Sequence, residues 1–162
     1  MTTRRDFLKT MTMASAGLAL GAGDILANPT FASQRKITDK VKIAYVGIGN
    51  RGEQIIGDFA RTGMVEVVAL CDVDMGAPHT QKVMNLYPKA KRFRDFRQMF
   101  DKAGNEFDAV AIATPDHSHF PISMLALASG KHVYVEKPLA RTFYEGELLM
   151  QAALKRPNLV TQ

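Results

Sequence analysis

Cysteine is almost missing from this chain. Cys71 is the single one among 162 residues, so no intrachain disulfide can form and a disulfide-stapled fold is excluded. Long apolar runs are missing too: the uncharged stretch from Met11 to Ala22 falls short of the about 20 apolar residues that a membrane-spanning helix needs. Internal repeats and low-complexity tracts are absent, which excludes solenoids and biased tails. Charge of one sign is not concentrated either. The net charge is +5, but the cations are scattered except at Lys89, Lys91, Arg92, Arg94 and Arg97, which interleave with Phe93 and Phe96. No nucleic-acid reading motif accompanies that cluster, so it reads as a solvated face. What is present suits a folded domain: 46% hydrophobic and 23% charged residues argue against disorder, and the length suits one domain with a sizeable core. Cys71 ends an apolar run and reads as a small buried thiol.

The first 32 residues read as an address. Arg4 and Arg5 lie in a charged segment, Phe7-Leu8-Lys9 follow, then the mildly apolar run from Met11 and a small-residue exit. That order is a secretory signal, and the paired arginines before Phe-Leu-Lys resemble a twin-arginine signal. Gly17, Gly21 and Gly23 weaken the competing reading as an amphipathic helix. Cleavage after Ala27 or Ala32 fits, and residues 33–40 form a polar linker. The resemblance implies the twin-arginine export machinery as a partner, a periplasmic location, and a mature form with no membrane segment. That route carries folded proteins with cofactor inside. A protein folded in reducing conditions gains no disulfides there, in keeping with the lone cysteine.

From residue 41 to 162 short apolar runs alternate with amphipathic stretches. Strands are predicted at Val41–Val46, Val65–Cys71, Arg92–Phe93, Asp108–Ala113, His132–Val135 and Leu159–Thr161. Helices are predicted at Arg51–Thr62, Pro78–Leu86, Phe96–Ala103, His119–Ser129 and Phe143–Lys155. Ile55, Ile56, Phe59 and Ala60 share one helical face, as do Leu148, Leu149, Ala152 and Ala153. This alternation predicts an α/β fold, a Rossmann-type doubly wound parallel sheet covered on both faces by right-handed crossovers.

The first strand runs into Gly47-Ile48-Gly49-Asn50-Arg51-Gly52, a G-x-G-x-x-G that opens a helix. Gly47 permits the tight turn, Gly49 lets a pyrophosphate approach the backbone, and Gly52 lets helix and strand pack closely. The helix N-terminus offers unpaired N–H groups to the phosphates. Asp72 follows at the end of the second strand, where an acid accepts the adenosine ribose hydroxyls and repels a 2′-phosphate, so NAD is favoured over NADP. Asp74 reads as a loop acid capping the next helix. Arg51 is placed to reach a phosphate and soften the NAD preference.

A second rim follows two later strands. Thr114, Pro115, Asp116 and His119 end one, and Glu136, Lys137 and Pro138 end the other. In an open parallel sheet both loops face the ligand crevice. Asp116 reads as an N-cap accepting from the N–H of His119. His117 and His119 put two candidate ligands on one short loop with no third at hand, so no metal is expected. His132 reads as a packed or edge histidine. Lys137 can orient a substrate hydroxyl and stabilise negative charge developing on its oxygen. Pro138 raises the prospect of a cis Lys137–Pro138 bond, which would fix the lysine's direction.

With the fingerprint, Asp72, Thr-Pro-Asp-His-Ser-His and Gly-Lys-His-Val-x-x-Glu-Lys-Pro in this order, the chain from Val41 to Gln162 resembles the Gfo/Idh/MocA oxidoreductases. The resemblance implies a cofactor site lined by Gly47, Gly49, Asn50, Arg51, Asp72, Thr114, Pro115, His119, Glu136 and Lys137, with Lys137 also facing substrate as the catalytic candidate. It implies NAD as cofactor, hydride transfer on a sugar or polyol, and homo-oligomers at full length. Members of the family also carry a second α/β domain with a proton-shuttling histidine, and the expectation is that the present 162 residues stop before it, bind cofactor, and turn over sugars negligibly. Two alternatives stand beside this reading: a non-catalytic NAD-binding or regulatory module, and a redox-neutral NAD-dependent glycosidase, whose known examples often depart from Glu-Lys-Pro.

Overall fold

Successive residues of the first strand, β1 (Val41–Val46), bury opposite sides: Ala44 and Val46 join one apolar cluster, Ile43 and Tyr45 another. Burial on both faces is the mark of a central strand in a parallel sheet sandwiched by helices. The computed structural model describes residues 39–162. It has α1 (Arg51–Arg61), β2 (Val65–Cys71), α2 (Pro78–Leu86), β3 (Lys91–Phe93), α3 (Phe96–Ala103), β4 (Ala109–Ile112), α4 (His119–Ala128), β5 (His132–Val135) and α5 (Phe143–Leu154). The stretch expected to be an export signal, residues 1–32, and the expected linker up to residue 38 lie outside the described residues.

All five strands are parallel, in the order β3-β2-β1-β4-β5. The chain builds outward from β1 to β3, then crosses back to lay β4 on the other side of β1. That reversal opens a crevice at the carboxyl ends of β1 and β4, where ligands of doubly wound sheets bind. One face is covered by α1 and α2, through Ile55, Ile56, Val83 and Met84. The other is covered by α3, α4 and α5, through Met99, Ile122, Ala126, Leu127 and Leu149.

The helices begin and end where local chemistry permits. Glu53 in the first turn of α1 and Arg61 in its last complement the helix dipole. Pro78 opens α2, where its missing N–H costs nothing. Thr142 and Glu145 form a reciprocal capping box at the start of α5, a T-x-x-E signal that reading for hydrophobic period passed over.

The expected sixth strand at Leu159–Thr161 is not a strand. Thr161 makes one isolated parallel bridge to Val133. Leu159 N–H closes a turn on the Arg156 carbonyl, and Val160 N–H is donated to Nδ1 of His132 at 2.9 Å. The Val160 amide, which a longer ladder would use, is thus engaged by a side chain, and His132, expected as a packed or edge histidine, lies on edge strand β5. The other differences are of one residue at an end, as for β4, where helices and strands fray.

Candidate functional site

The glycine loop after β1 is shaped by backbone approaching backbone. Gly47 has φ +80°, and a Cβ on it would stand 2.5 Å from the Ala113 carbonyl oxygen. Its N–H is donated to the Cys71 carbonyl at 2.8 Å, tying the loop to the end of β2. Gly52 donates to the Gly49 carbonyl at 2.9 Å, closing a turn whose first central residue is Asn50, at φ 46° and ψ −100°. Those are type II′ angles, where glycine is usual and asparagine is strained. A Cβ on Gly52 would lie 1.9 Å from the Gly47 carbonyl oxygen, so its bareness lets the helix start directly above the turn. The first turn of α1 thereby presents its unpaired amides at the crevice.

Asp72 stands half-buried at the end of β2. Its Oδ2 accepts the Ile48 amide at 2.9 Å and its Oδ1 the Asp74 amide at 3.0 Å. An ionised carboxylate has about four acceptor sites, so the same group that orders two loops keeps capacity for a ribose diol. Asp74 does not cap α2: its Oδ1 accepts the Gly76 amide at 3.2 Å, while the N-cap is Ala77 with no side-chain bond. Its carbonyl accepts the buried Thr80 hydroxyl at 2.6 Å, so Asp74 shapes the loop instead. Beside it Cys71 is buried, and loss of hydration, reinforced by Asp72 and Asp95, pushes its thiol up to about 12. It is an inert core thiol.

The far rim is stitched by side chains. His119 is 1% exposed, with Nε2 2.8 Å from the Thr114 carbonyl oxygen and Nδ1 2.7 Å from that of Pro138. It braces the loop after β4 against the loop after β5 rather than lining the crevice, and with both nitrogens engaged it has none for a metal. Asp116 does not cap α4. It opens a 3-10 turn, Asp116–Ser118, and its backbone carbonyl, not its carboxylate, accepts from the His119 N–H. The side chain is left exposed because the 3-10 turn separates it from the helix, which starts at His119 with Ser118 as N-cap. Arg51 reaches across to Glu136, at 2.9 Å from Nε and 2.7 Å from the terminal nitrogen, and also donates to Gln54. The guanidinium hydrogen bond, helped by the Lys137 amide and the Tyr134 hydroxyl, holds Glu136 below the usual carboxylate range; Glu136 in turn raises Arg51. Lys137 is exposed at the end of β5, and the Lys137–Pro138 bond is cis.

These loops enclose a cleft of about 760 Å³ whose wall includes Gly47, Gly49, Asn50, Arg51, Asp72, Thr114 and Pro115, a size usual for a ligand site. Gly52, His119, Glu136 and Lys137 lie behind or beside that wall. Reading along the sequence missed His79, Val73, Arg94, Phe96, Arg97 and His117, which the fold adds to it. For Arg94 and Arg97 the signal was present, since they belong to the basic cluster that otherwise faces solvent. The cleft fits a dinucleotide by its chemistry: a glycine turn packed too closely on its own backbone to admit a Cβ at Gly47 or Gly52, helix amides, a ribose acid, and the buried Thr114 Oγ1 without a protein partner. Among the described residues no cluster of His, Cys, Asp or Glu is placed to hold a metal.

A family model described as an oxidoreductase family with NAD-binding Rossmann fold, GFO_IDH_MocA, matches residues 41–162. The chain belongs to the Gfo/Idh/MocA family. It is this family's NAD-binding Rossmann domain. Among solved structures, scyllo-inositol dehydrogenase from Lactobacillus casei with bound NAD(H) and scyllo-inositol is 28% identical, with a TM-score of 0.66 over 76% of this chain and 36% of that one. The WlbA dehydrogenase from Bordetella pertussis, in complex with NADH and UDP-GlcNAcA, is 26% identical at a TM-score of 0.62, covering 73% and 35%. Among curated relatives, an alpha-N-acetylgalactosaminidase from Shewanella oneidensis is 29% identical over 88% of this chain and 35% of its own length. A glycosyl hydrolase family 109 protein from Shewanella sp. (strain ANA-3) is 28% identical over 96% and 38%. The chain thus spans little more than a third of the length of the curated relatives it matches.

Proposed function

We propose that this NAD-binding domain serves an oxidoreductase acting on a sugar or polyol, exported to the periplasm by the twin-arginine route. The observation that carries the reading is the Arg51–Glu136 pair. It brings the end of β5, and with it exposed Lys137, onto the same rim as the phosphate loop. The glycine loop and the first turn of α1 would hold the pyrophosphate, Asp72 the adenosine ribose, and the Thr114–Pro115 loop the opposite wall. NAD supplies a hydride acceptor when bound there. Lys137, beyond that wall, orients a substrate hydroxyl and stabilises negative charge on its oxygen. Relatives crystallised with scyllo-inositol or a UDP-sugar acid support a polyhydroxylated substrate.

The names of the curated relatives favour a second reading, a glycosidase that uses NAD without net turnover. Both are tested in the full-length protein. NADH formation across a panel of sugars and polyols, abolished in Lys137→Ala, supports the oxidoreductase. Release of aglycone from an aryl N-acetylgalactosaminide with no net NADH replaces it with the glycosidase. Calorimetry with NAD and NADP tests the cofactor choice: NAD should bind more tightly, and Asp72→Ser should narrow the gap by about 1–3 kcal/mol, the scale of a charge-assisted hydrogen bond. Equal affinities in the native chain sink the role of Asp72. Export is tested by replacing Arg4 and Arg5 with Lys, which should hold the protein in the cytoplasm; undiminished export counts against the route.

A further inference from the structure

Gly49 is the glycine whose missing side chain lets a pyrophosphate approach the loop, and in this chain an imidazole stands in that space. A Cβ on Gly49 would lie 2.4 Å from Cδ2 and 2.7 Å from Nε2 of His79. The three heavy atoms nearest that position all belong to the His79 ring. His79 comes from a different loop, at the second position of α2, and its backbone is well anchored. Pro78 precedes it, and the fully buried Thr80 follows, with its hydroxyl donated to the carbonyls of Asp74 and Ala77 at 2.6 and 2.9 Å. The ring itself is exposed and on the cleft wall. Among the described residues no group hydrogen-bonds its nitrogens, so an N–H is left to offer an incoming anion.

Building on the NAD-binding reading, we infer that His79 is a phosphate-contacting residue of the dinucleotide site. Its ring rotates off Gly49 as the pyrophosphate enters and donates an N–H to a phosphate oxygen. The exchange is favourable because leaving a glycine surrenders only a few dispersion contacts, whereas a hydrogen bond to a charged oxygen is among the stronger polar contacts. A ring that merely blocked the cradle would have the opposite effect, since removing it would tighten binding.

Calorimetric titration of the whole chain with NAD and with ADP-ribose, which keeps the pyrophosphate and lacks the nicotinamide, separates these outcomes. His79→Ala should weaken both ligands alike, by roughly tenfold, with the ligand-free melting temperature unchanged because the ring is exposed. His79→Gln, which retains an N–H donor, should recover most of the loss. The phosphorus NMR shift of bound ADP-ribose should differ between the native chain and His79→Ala. Unchanged or tighter binding by His79→Ala overturns the inference while leaving the NAD assignment intact, and so does a loss that His79→Gln fails to relieve. Failure of the native chain to bind either ligand overturns the NAD reading itself and this inference with it.

Discussion

On the β1–β2 side of the crevice the loops are held largely by backbone, the Gly52 amide on the Gly49 carbonyl and the Gly47 amide on the Cys71 carbonyl, with Asp72 the one side chain that gathers two further amides. On the β4–β5 side side chains span the gap, with His119 between two carbonyls and Arg51 on Glu136. The first side works by leaving side chains out, so that backbone and phosphate can approach. The second works by putting particular side chains in. The contrast teaches that equally small substitutions should fail differently: by steric exclusion, indifferent to pH, at the glycines of one side, and by loss of polar partners, in part dependent on pH, on the other.

The sharpest break is Gly52→Ala. Its methyl would stand 1.9 Å from the Gly47 carbonyl oxygen, a backbone atom that cannot swing away, so turn and helix must part. Urea denaturation should show a loss of about 3 kcal/mol; a loss below about 1 kcal/mol would mean that the loop is more pliant than its contacts indicate. Next comes His119→Ala on the opposite side. It removes the imidazole held between two carbonyl oxygens inside a buried junction and should cost about 2 kcal/mol. The loss should be shared by His119→Phe, which fills the space but restores no hydrogen bond; recovery in the phenylalanine variant would make the histidine a packing residue.

Asn50→Gly runs the other way. Relief of a φ of 46° in a turn that suits glycine should offset the extra chain entropy and stabilise the fold by about 1 kcal/mol, read as a raised urea midpoint. No gain would show that the asparagine side chain compensates for its strain. The smallest effect belongs to Glu136→Gln and is visible chiefly as a change in pH dependence. Because the folded state holds Glu136 below its ordinary value of 4.5, the stability it contributes is fully present above that pH. It is lost as acid titrates the group through its lower folded value. The native and variant stability curves should therefore differ at neutral pH and converge in acid. Parallel curves would remove the ion pair from the account of the rim.

Much of the first side was legible in the sequence. Gly47, Gly49, Gly52 and Asp72 lie at spacings set by one strand, one turn and one helix, and so carry their meaning locally. The strands were legible for the same reason, since two-sided burial leaves short apolar runs between amphipathic helices. Less legible was Asp116, where Asp before a helix suggested a cap, but a 3-10 turn stands between it and the helix start at His119. Leu159–Thr161 has strand composition, yet the Val160 amide that would extend the pairing is taken by the His132 side chain. His79 had no local signal at all, for nothing near it in the chain points to Gly49.

By itself the sequence determined the parallel α/β class, the glycine turn and the acid at the end of β2, because each follows from neighbours within a few residues. Only the tertiary structure decided that Arg51 pairs with Glu136, 85 residues away, that His119 braces two loops, and that His79 covers Gly49. The physical reason is the strand order. Placing β4 beside β1 rather than beside β3 brings the loops after β1 and β4 face to face, and no periodicity along the chain records which side chains meet across that crevice.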